Sequence, residues 1–220
     1  MKILIGVQAR TASKRFPGKV LEKIDDKTVL EHVVASCKDV KILGKVNEYI
    51  VSVIGPEGDI KLQEECKRIG VDCVLFDNEN DLISRYVRAA EKYQADAVVR
   101  VTADCVFLPT EMIEECIKCL TESDYCSNVI IRSFVEGWDC QGASRRCLDW
   151  VNLTQTAERE HPFKALDENQ TVRDEFVKLG FTFKSIVNPQ NIIFQKTSID
   201  AQIDLDNARK IYEARQNATK

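Results

Sequence analysis

Residues 49–76, YIVSVIGPEGDIKLQEECKRIGVDCVLF, decide the fold class. Residues 49–54 form an apolar run of strand length, Gly55-Pro56 breaks it, a helix is expected over 59–69 with Gly70 at its end, and 71–76 read as the next strand. The same strand-then-helix rhythm extends in both directions. Residues 3–7 are a strand. Residues 28–40 are a helix with Val29, Val33, Val34 and Cys37 at helical spacing. Residues 81–93 are a helix with Leu82, Tyr86, Ala89, Ala90 and Tyr93 on or near one face; 97–101 are a strand, and Pro109 opens a helix running to 120. Alternating units whose strands are apolar throughout predict an α/β chain: three layers, α/β/α, on a mostly parallel, mixed sheet.

After residue 124 the rhythm changes. Residues 125–131 and 134–140 read as extended, 144–153 as a helix, 171–179 as a helix ended by Gly180, 181–187 and 192–196 as late strands, and 206–215 as a closing helix. No Gly- or Ser-rich linker separates the two stretches, so residues 1–220 are expected to form one domain with halves 1–124 and 125–220.

Composition narrows the function classes. Hydrophobic residues at 44% and charged residues at 30% leave no tract too polar to fold. A net charge of -4 disfavours an extended nucleic-acid surface, although a local basic site can still bind phosphates. The opening run is too short for a signal peptide, and no run approaches the roughly 20 apolar residues that cross a bilayer. A cytoplasmic protein without a membrane partner is expected. The nine cysteines are odd in number and several fall on helical patterns, so they read as small buried hydrophobes rather than disulfide partners.

The chemistry concentrates after the first strand, in Val7-Gln8-Ala9-Arg10-Thr11-Ala12-Ser13-Lys14-Arg15-Phe16-Pro17-Gly18-Lys19. Open α/β sheets place ligands at the carboxyl ends of their strands. A triphosphate there needs several positive donors; Arg10, Arg15 and Lys19 can clamp separate phosphoryl oxygens while Ser13 and nearby amides add neutral ones. Neither the P-loop pattern nor the dinucleotide glycine turn is present. By residues alone, a solvated basic loop stays open as the other reading.

That segment resembles the opening of the cytidylyltransferases that activate acidic sugars, the acylneuraminate and deoxyoctulosonate superfamily. The likeness is greatest to the spore-coat-polysaccharide branch, which reads Gln-Ala-Arg, then Ser-x-Arg-Leu-Pro-Gly-Lys-Val-Leu. Here Gln8-Ala9-Arg10 and Ser13-Lys14-Arg15-Phe16-Pro17-Gly18-Lys19-Val20-Leu21 stand in those places, with Phe16 for leucine. The resemblance implies a nucleotide-diphosphosugar-transferase-like fold, with residues 1–124 as the nucleotide half and 125–220 as the sugar-facing and dimerisation half. It places Arg10, Arg15 and Lys19 over the triphosphate, Gln8 and Ala9 beside the base, and Ser13 and Thr102 among the nucleotide-binding residues. The activity implied is transfer of CMP from CTP to an acidic sugar, with release of pyrophosphate, by a homodimer.

The remaining motifs follow the same likeness. In Val101-Thr102-Ala103-Asp104-Cys105, a strand runs into an acid at its carboxyl end, where an aspartate can ligate Mg²⁺ or, alternatively, Mn²⁺. Ala103 and Cys105-Val106-Phe107 replace the family's Gly and Cys-Pro-Leu. Gln202-Ile203-Asp204-Leu205-Asp206 again sets an acid before a helix, so Asp204 is the expected second ligand; the alternative is that Asp204 or Asp206 caps the helix. Arg10 and Lys19 with Asp104 and Asp204 form the expected catalytic set. On the sugar side, Asp77 and Asp81 flank the turn leading to Arg85 in a Leu-x-Arg-Tyr-like motif. Asp139 and Gln141 lie where the family reads Gly-x-Asp-Val-Glu, and Arg159 and His161 lie in an Arg-Glu-His core. Arg85, Asp139, Gln141, Arg159 and His161 are the expected sugar-binding residues, with a structural ion pair to Glu158 or Glu160 open to Arg159. Gln141 stands where the family has an acid and removes one negative charge. A nucleotidyltransferase for another sugar or a cofactor, and a nucleotide-binding homologue without chemistry, are the alternatives.

Overall fold

Strand β1 (Lys2–Gln8) lies near the middle of a seven-stranded sheet and feeds both layers that cover it. Ile3, Ile5 and Val7 face one core; Leu4 faces the other. The structure is a computed structural model that describes residues 1–41, 44–76, 80–190 and 196–218. After β1 come a hairpin of β2 (Lys23–Ile24) and β3 (Lys27–Thr28), then α1 (Val29–Lys38), β4 (Glu48–Gly55), α2 (Ile60–Arg68), β5 (Asp72–Leu75), α3 (Leu82–Tyr93), β6 (Ala97–Thr102) and α4 (Thr110–Leu120). The second half adds β7 (Tyr125–Ser127), β8 (Gln141–Ser144), α5 (Arg145–Thr154), α6 (Lys164–Glu168), α7 (Gln170–Lys178), β9 (Phe183–Ser185) and α8 (Gln202–Ala218).

The sheet order is β5-β4-β1-β6-β8-β7-β9. Within this sheet every described pairing is parallel except those of β8, which runs against β6 and β7. The sheet is therefore mixed and mostly parallel, as the rhythm of apolar strands predicts, and it runs unbroken from the first half into the second. One core packs α1, α2, α4 and α8 against one face; the other packs α3, α5, α6 and α7 against the opposite face. The helices start where side chains cap them: Thr28, Asp59, Asp81 and Ser144 each accept an amide of the first turn, each worth about 1 kcal/mol.

Two expectations are corrected. Residues 129–132 turn after β7, residues 134–140 hold the isolated bridge of Glu136 and a turn at Gly137, and the strand is β8, immediately after them. Gln141-Gly142-Ala143-Ser144 lacks β-branched or large apolar residues and so shows no strand pattern. Tertiary packing specifies it: a Cβ on Gly142 would come within 2.8 Å of the sulfurs of Cys116 and Cys126. The last helix begins at Gln202 rather than 206. Of the expected strand over 192–196, residues 192–195 lie outside the described residues, as does Asp77; Lys196 makes a parallel bridge with Glu136. All nine cysteines are free and all but Cys73 are buried. Among the described residues, no helix is long and apolar enough to cross a membrane.

Asp124 ties the second half together. Its carboxylate accepts Arg146 Nε and Nη2 at 2.5 and 2.6 Å, the Ser144 hydroxyl at 3.0 Å and the Thr182 amide at 2.9 Å. The Arg146 guanidinium first, with these hydrogen bonds, holds its carboxyl down from the ordinary 3.8 to about 2. A carboxyl lowered in the folded state gives stability that is complete above the unfolded value and is lost as pH falls toward the folded one. Denaturation midpoints are thus expected to fall between about pH 4 and pH 2, with Asp124→Asn less stable at pH 7 and flatter across that window. Equal pH slopes for the two proteins would contradict this role.

Candidate active site

Chain connections leave β1 toward β4 and β5 on one side, and the chain then returns to place β6 on the other. Between the carboxyl ends of β1 and β6 the sheet therefore has a switch point, where α/β folds open a crevice. The register sets Gln8 beside Thr102, and the Ala103 amide closes the edge on the Gln8 carbonyl at 2.9 Å. A cleft of 410 Å³ opens there, lined among others by Gln8, Ala9, Ser13, Arg85 and Thr102. Arg10, Lys14, Arg15, Lys19, Asp104 and Glu160 complete its charged wall.

The loop after β1 is anchored at both ends. The Thr11 amide and hydroxyl donate to the two oxygens of Asp59 at 2.8 and 2.7 Å, fixing the loop to the start of α2. The Gly18 amide donates to the Thr11 carbonyl at 2.8 Å, and Lys19 begins a 3-10 turn over Lys19–Leu21. Lys19 is thereby carried under the loop and is only 8% exposed. Its Nζ donates to Asp104 Oδ2 at 2.5 Å, the Ile199 carbonyl at 2.7 Å and Asp200 Oδ1 at 3.2 Å. Arg15 reaches the same Asp200 oxygen at 2.7 Å from the exposed rim, and Lys196 binds its other oxygen at 2.9 Å. Burial pushes the Asp200 carboxyl up, yet Lys196 and Lys19 outweigh it and hold the group below the ordinary range.

The carboxylate that shares the Lys19 ammonium with Asp104 is Asp200, whereas Asp204, expected as the second acid, is engaged elsewhere. Asp204 lies in the first turn of α8, where its Oδ2 accepts the amides of Asp200 and Ala201 at 2.8 and 2.9 Å. An acid three residues into a helix that reaches back to the residue before it is half of a capping box. Ile199 is fully buried, whereas Ile203 is 61% exposed, so the apolar approach leading into the core precedes Asp200. The segment 196–200 is held by the Ile199 amide on the Asp104 carbonyl at 3.0 Å and the Thr197 amide on the Glu136 carbonyl at 2.8 Å. Gly137, at φ +100, lets this segment pass; a Cβ there would sit 2.5 Å from the Ser198 nitrogen. Among the described residues, no group of three or more His, Cys, Asp or Glu side chains is arranged to hold a metal by itself.

A second cavity of 330 Å³ holds Asp139, Gln141 and His161, together with Arg100 and Asp167. Arg100 joins the two cavities: its Nε donates to Gln8 Oε1 at 2.8 Å and its Nη1 to Gln141 Oε1. The sequence reading passed over Arg100 because it sits inside an apolar strand, with no motif to single it out. Asp139 is half-buried and pairs with Arg132 at 3.4 Å. Two other residues of the expected sugar-binding set do not line this second cavity. Arg85 is buried and lines the first cleft. Arg159 lines neither cavity; it binds Asp81 at 2.8 Å, the Ser84 hydroxyl at 3.1 Å and Asn152 Oδ1 at 2.6 Å, locking the start of α3 to the segment after α5. The partners considered for it are engaged separately, Glu160 with Arg10 at 3.0 Å and Glu158 with Lys164 at 3.0 Å. Burial raises the Asp81 carboxyl, but Arg159 and the Ser84 amide and hydroxyl bring it below its ordinary value.

A mixed, mostly parallel sheet between two helix layers, with a basic loop after its central strand facing an aspartate after the neighbouring one, defines a nucleotidyltransferase fold. The cytidylyltransferase family pattern matches residues 4–218, and the chain belongs to that family. An uncharacterized protein of Methanocaldococcus jannaschii is 31% identical over 173 residues, 77% of this chain and 68% of its own length. The 3-deoxy-manno-octulosonate cytidylyltransferase of Pelobacter propionicus is 30% identical over 123 residues, 56% of this chain and 46% of that protein, so the match spans less than half of that enzyme. The solved structure of a cytidylyltransferase from Leptospira borgpetersenii superposes with a TM-score of 0.80 at 27% identity, covering 95% of this chain and 85% of the other.

Proposed function

We propose that the protein transfers CMP from CTP to an acidic sugar, releasing pyrophosphate, and that Asp104 and Asp200 hold the divalent cation the reaction uses. One observation carries the reading: Lys19, which lines a cleft together with Arg10, Arg15 and Asp104, brings its ammonium to the carboxylates of both Asp104 and Asp200. The donor set fits magnesium, because hard carboxylate oxygens suit that ion and one or two of them suffice when phosphate and water fill the rest. Bound there, the ion supplies neutralisation of the triphosphate charge.

The chain's own groups do the remaining work. Arg10, Arg15 and Lys19 offset charge on the β- and γ-phosphates, so that negative charge developing on the leaving pyrophosphate is stabilised where it forms. Gln8 and Ala9, at the end of β1, border the base. The acceptor, in the second cavity, brings a hydroxyl oxygen to the α-phosphorus; the new P–O bond forms as the bond to the β-phosphate oxygen breaks, and the hydroxyl proton is lost to solvent.

Pyrophosphate release, followed with each of the four common nucleoside triphosphates against a panel of acidic and neutral sugars, tests the assignment. CTP with an acidic sugar is expected to be the productive pair. Turnover confined to another triphosphate, or to neutral sugars, would overturn it.

A further inference from the structure

Asp167 is a buried ionisable group that the reaction outlined above does not use. It sits on the short helix α6, only 6% exposed, and its carboxylate borders the second cavity. The Tyr125 hydroxyl donates to Oδ1 at 2.7 Å, and the Gln141 amide nitrogen donates to Oδ2. Its position is fixed from behind, since Arg173 Nη1 donates to the carbonyls of Leu166 and Asp167 at 2.7 and 2.8 Å. Burial raises its carboxyl above the ordinary aspartate range, against the pull of Tyr125, Ser127, Gln141 and the more distant Arg100 charge. Its hydrogen-bond donors are neutral, and a carboxylate removed from water without a paired cation is costly for folding alone. A carboxylate offers roughly four acceptor sites, so these donors leave room for one more.

Gln141 explains why the acid stands there. Its oxygen is committed to Arg100 and its nitrogen to Asp167, so the side chain passes the Arg100 guanidinium on one side and a carboxylate on the other. A glutamate at 141 could not donate to Asp167 and would set two negative charges together. Position 141, where the resembling family carries an acid, is neutral here; in a cavity that also holds Asp139, the carboxylate next to it is supplied by α6. The chain Gln8–Arg100–Gln141–Asp167–Tyr125 then runs from the nucleotide cleft to the acceptor cavity as one hydrogen-bonded line.

We propose that Asp167 is an acceptor-binding, specificity-determining residue: its carboxylate, oriented by Gln141 and Tyr125, accepts a hydrogen bond from a hydroxyl group of a polyhydroxylated acceptor in the second cavity. The inference rests on the reading of the two cavities as nucleotide and acceptor sites.

The test moves the charge rather than only deleting it. Pyrophosphate release is measured at varied acceptor and varied CTP for the wild type, Asp167→Asn, Gln141→Glu and the double variant Q141E/D167N, with CTP binding and thermal unfolding recorded for each. Asp167→Asn is expected to raise the acceptor KM about tenfold or more, as loss of a charged hydrogen-bond partner does, while the KM for CTP stays within about twofold. The double variant, which carries the carboxylate on β8 instead of α6, is expected to regain most of the lost acceptor affinity. Equal changes in both KM values, or a double variant no better than Asp167→Asn, would overturn the proposal and leave a structural network only. Should Asp167→Asn fail to fold, the double variant decides: a folded protein with wild-type acceptor KM supports the role, and a folded protein with a tenfold higher one removes it. If the wild type binds CTP but turns over no polyhydroxylated acceptor, this inference falls while the nucleotide reading stands; if CTP does not bind, both fall.

Discussion

Lys19→Met is expected to lower kcat for pyrophosphate release by roughly 10²–10³-fold, the usual effect of deleting one preorganised charge stabiliser from a phosphate site. Methionine keeps most of the stem, so the 3-10 turn over Lys19–Leu21 and its packing are preserved. What is removed is the ammonium that meets Asp104, Asp200 and the Ile199 carbonyl together. Two carboxylates then face one another without a shared cation, and the incoming phosphates lose their innermost positive partner. Lys19→Arg is not expected to restore the rate, because a planar guanidinium does not reproduce three donors diverging from one buried nitrogen. Steady-state kinetics beside thermal unfolding checks this; a Lys19→Met enzyme within about threefold of wild type would show that the ammonium is a structural pin only.

The second large effect separates two aspartates four residues apart. Asp200→Asn is expected to reduce kcat by roughly 10²–10³-fold and to raise the magnesium concentration needed for half-maximal rate, since a cation ligand contributes several kcal/mol at a phosphoryl site. Asp204→Ala is expected to cost about 1 kcal/mol of stability through loss of its cap on the start of α8, with a much smaller change in rate. A magnesium titration of both variants decides. If Asp204→Ala shows the larger shift in magnesium dependence, the assignment of Asp200 is wrong.

That pair also shows how far the sequence could be read. The βα rhythm of the first half is local: apolar strands, capped helices and Gly70 each announce themselves within a few residues, and Asp59 and Asp81 cap the helices they precede. The basic loop was legible for the same reason, because Gln8, Arg10, Ser13, Arg15 and Lys19 lie within one short segment and line one cleft. Non-local contacts were not legible. In strand β8, Gly142 packs against two cysteine sulfurs from distant elements, and Asp200 comes to Lys19 where the Ile199 amide binds the Asp104 backbone across the fold. The contrast of a buried Ile199 with an exposed Ile203 is the signal that separates the two aspartates, and it belongs to tertiary packing. Arg159 looked like a ligand in its motif, yet Asp81, a residue far away in sequence, claims it. Arg100 and Asp167 carry no motif; only the second cavity makes them visible.

The most direct measurement is a calorimetric titration of CTP, with magnesium present, into the wild-type chain and into Lys19→Met. The wild type is expected to bind one CTP per chain, with affinity reduced about tenfold or more in the variant. No saturable heat with the wild type, or the same affinity in both proteins, would contradict a triphosphate seated over Lys19 between the ends of β1 and β6.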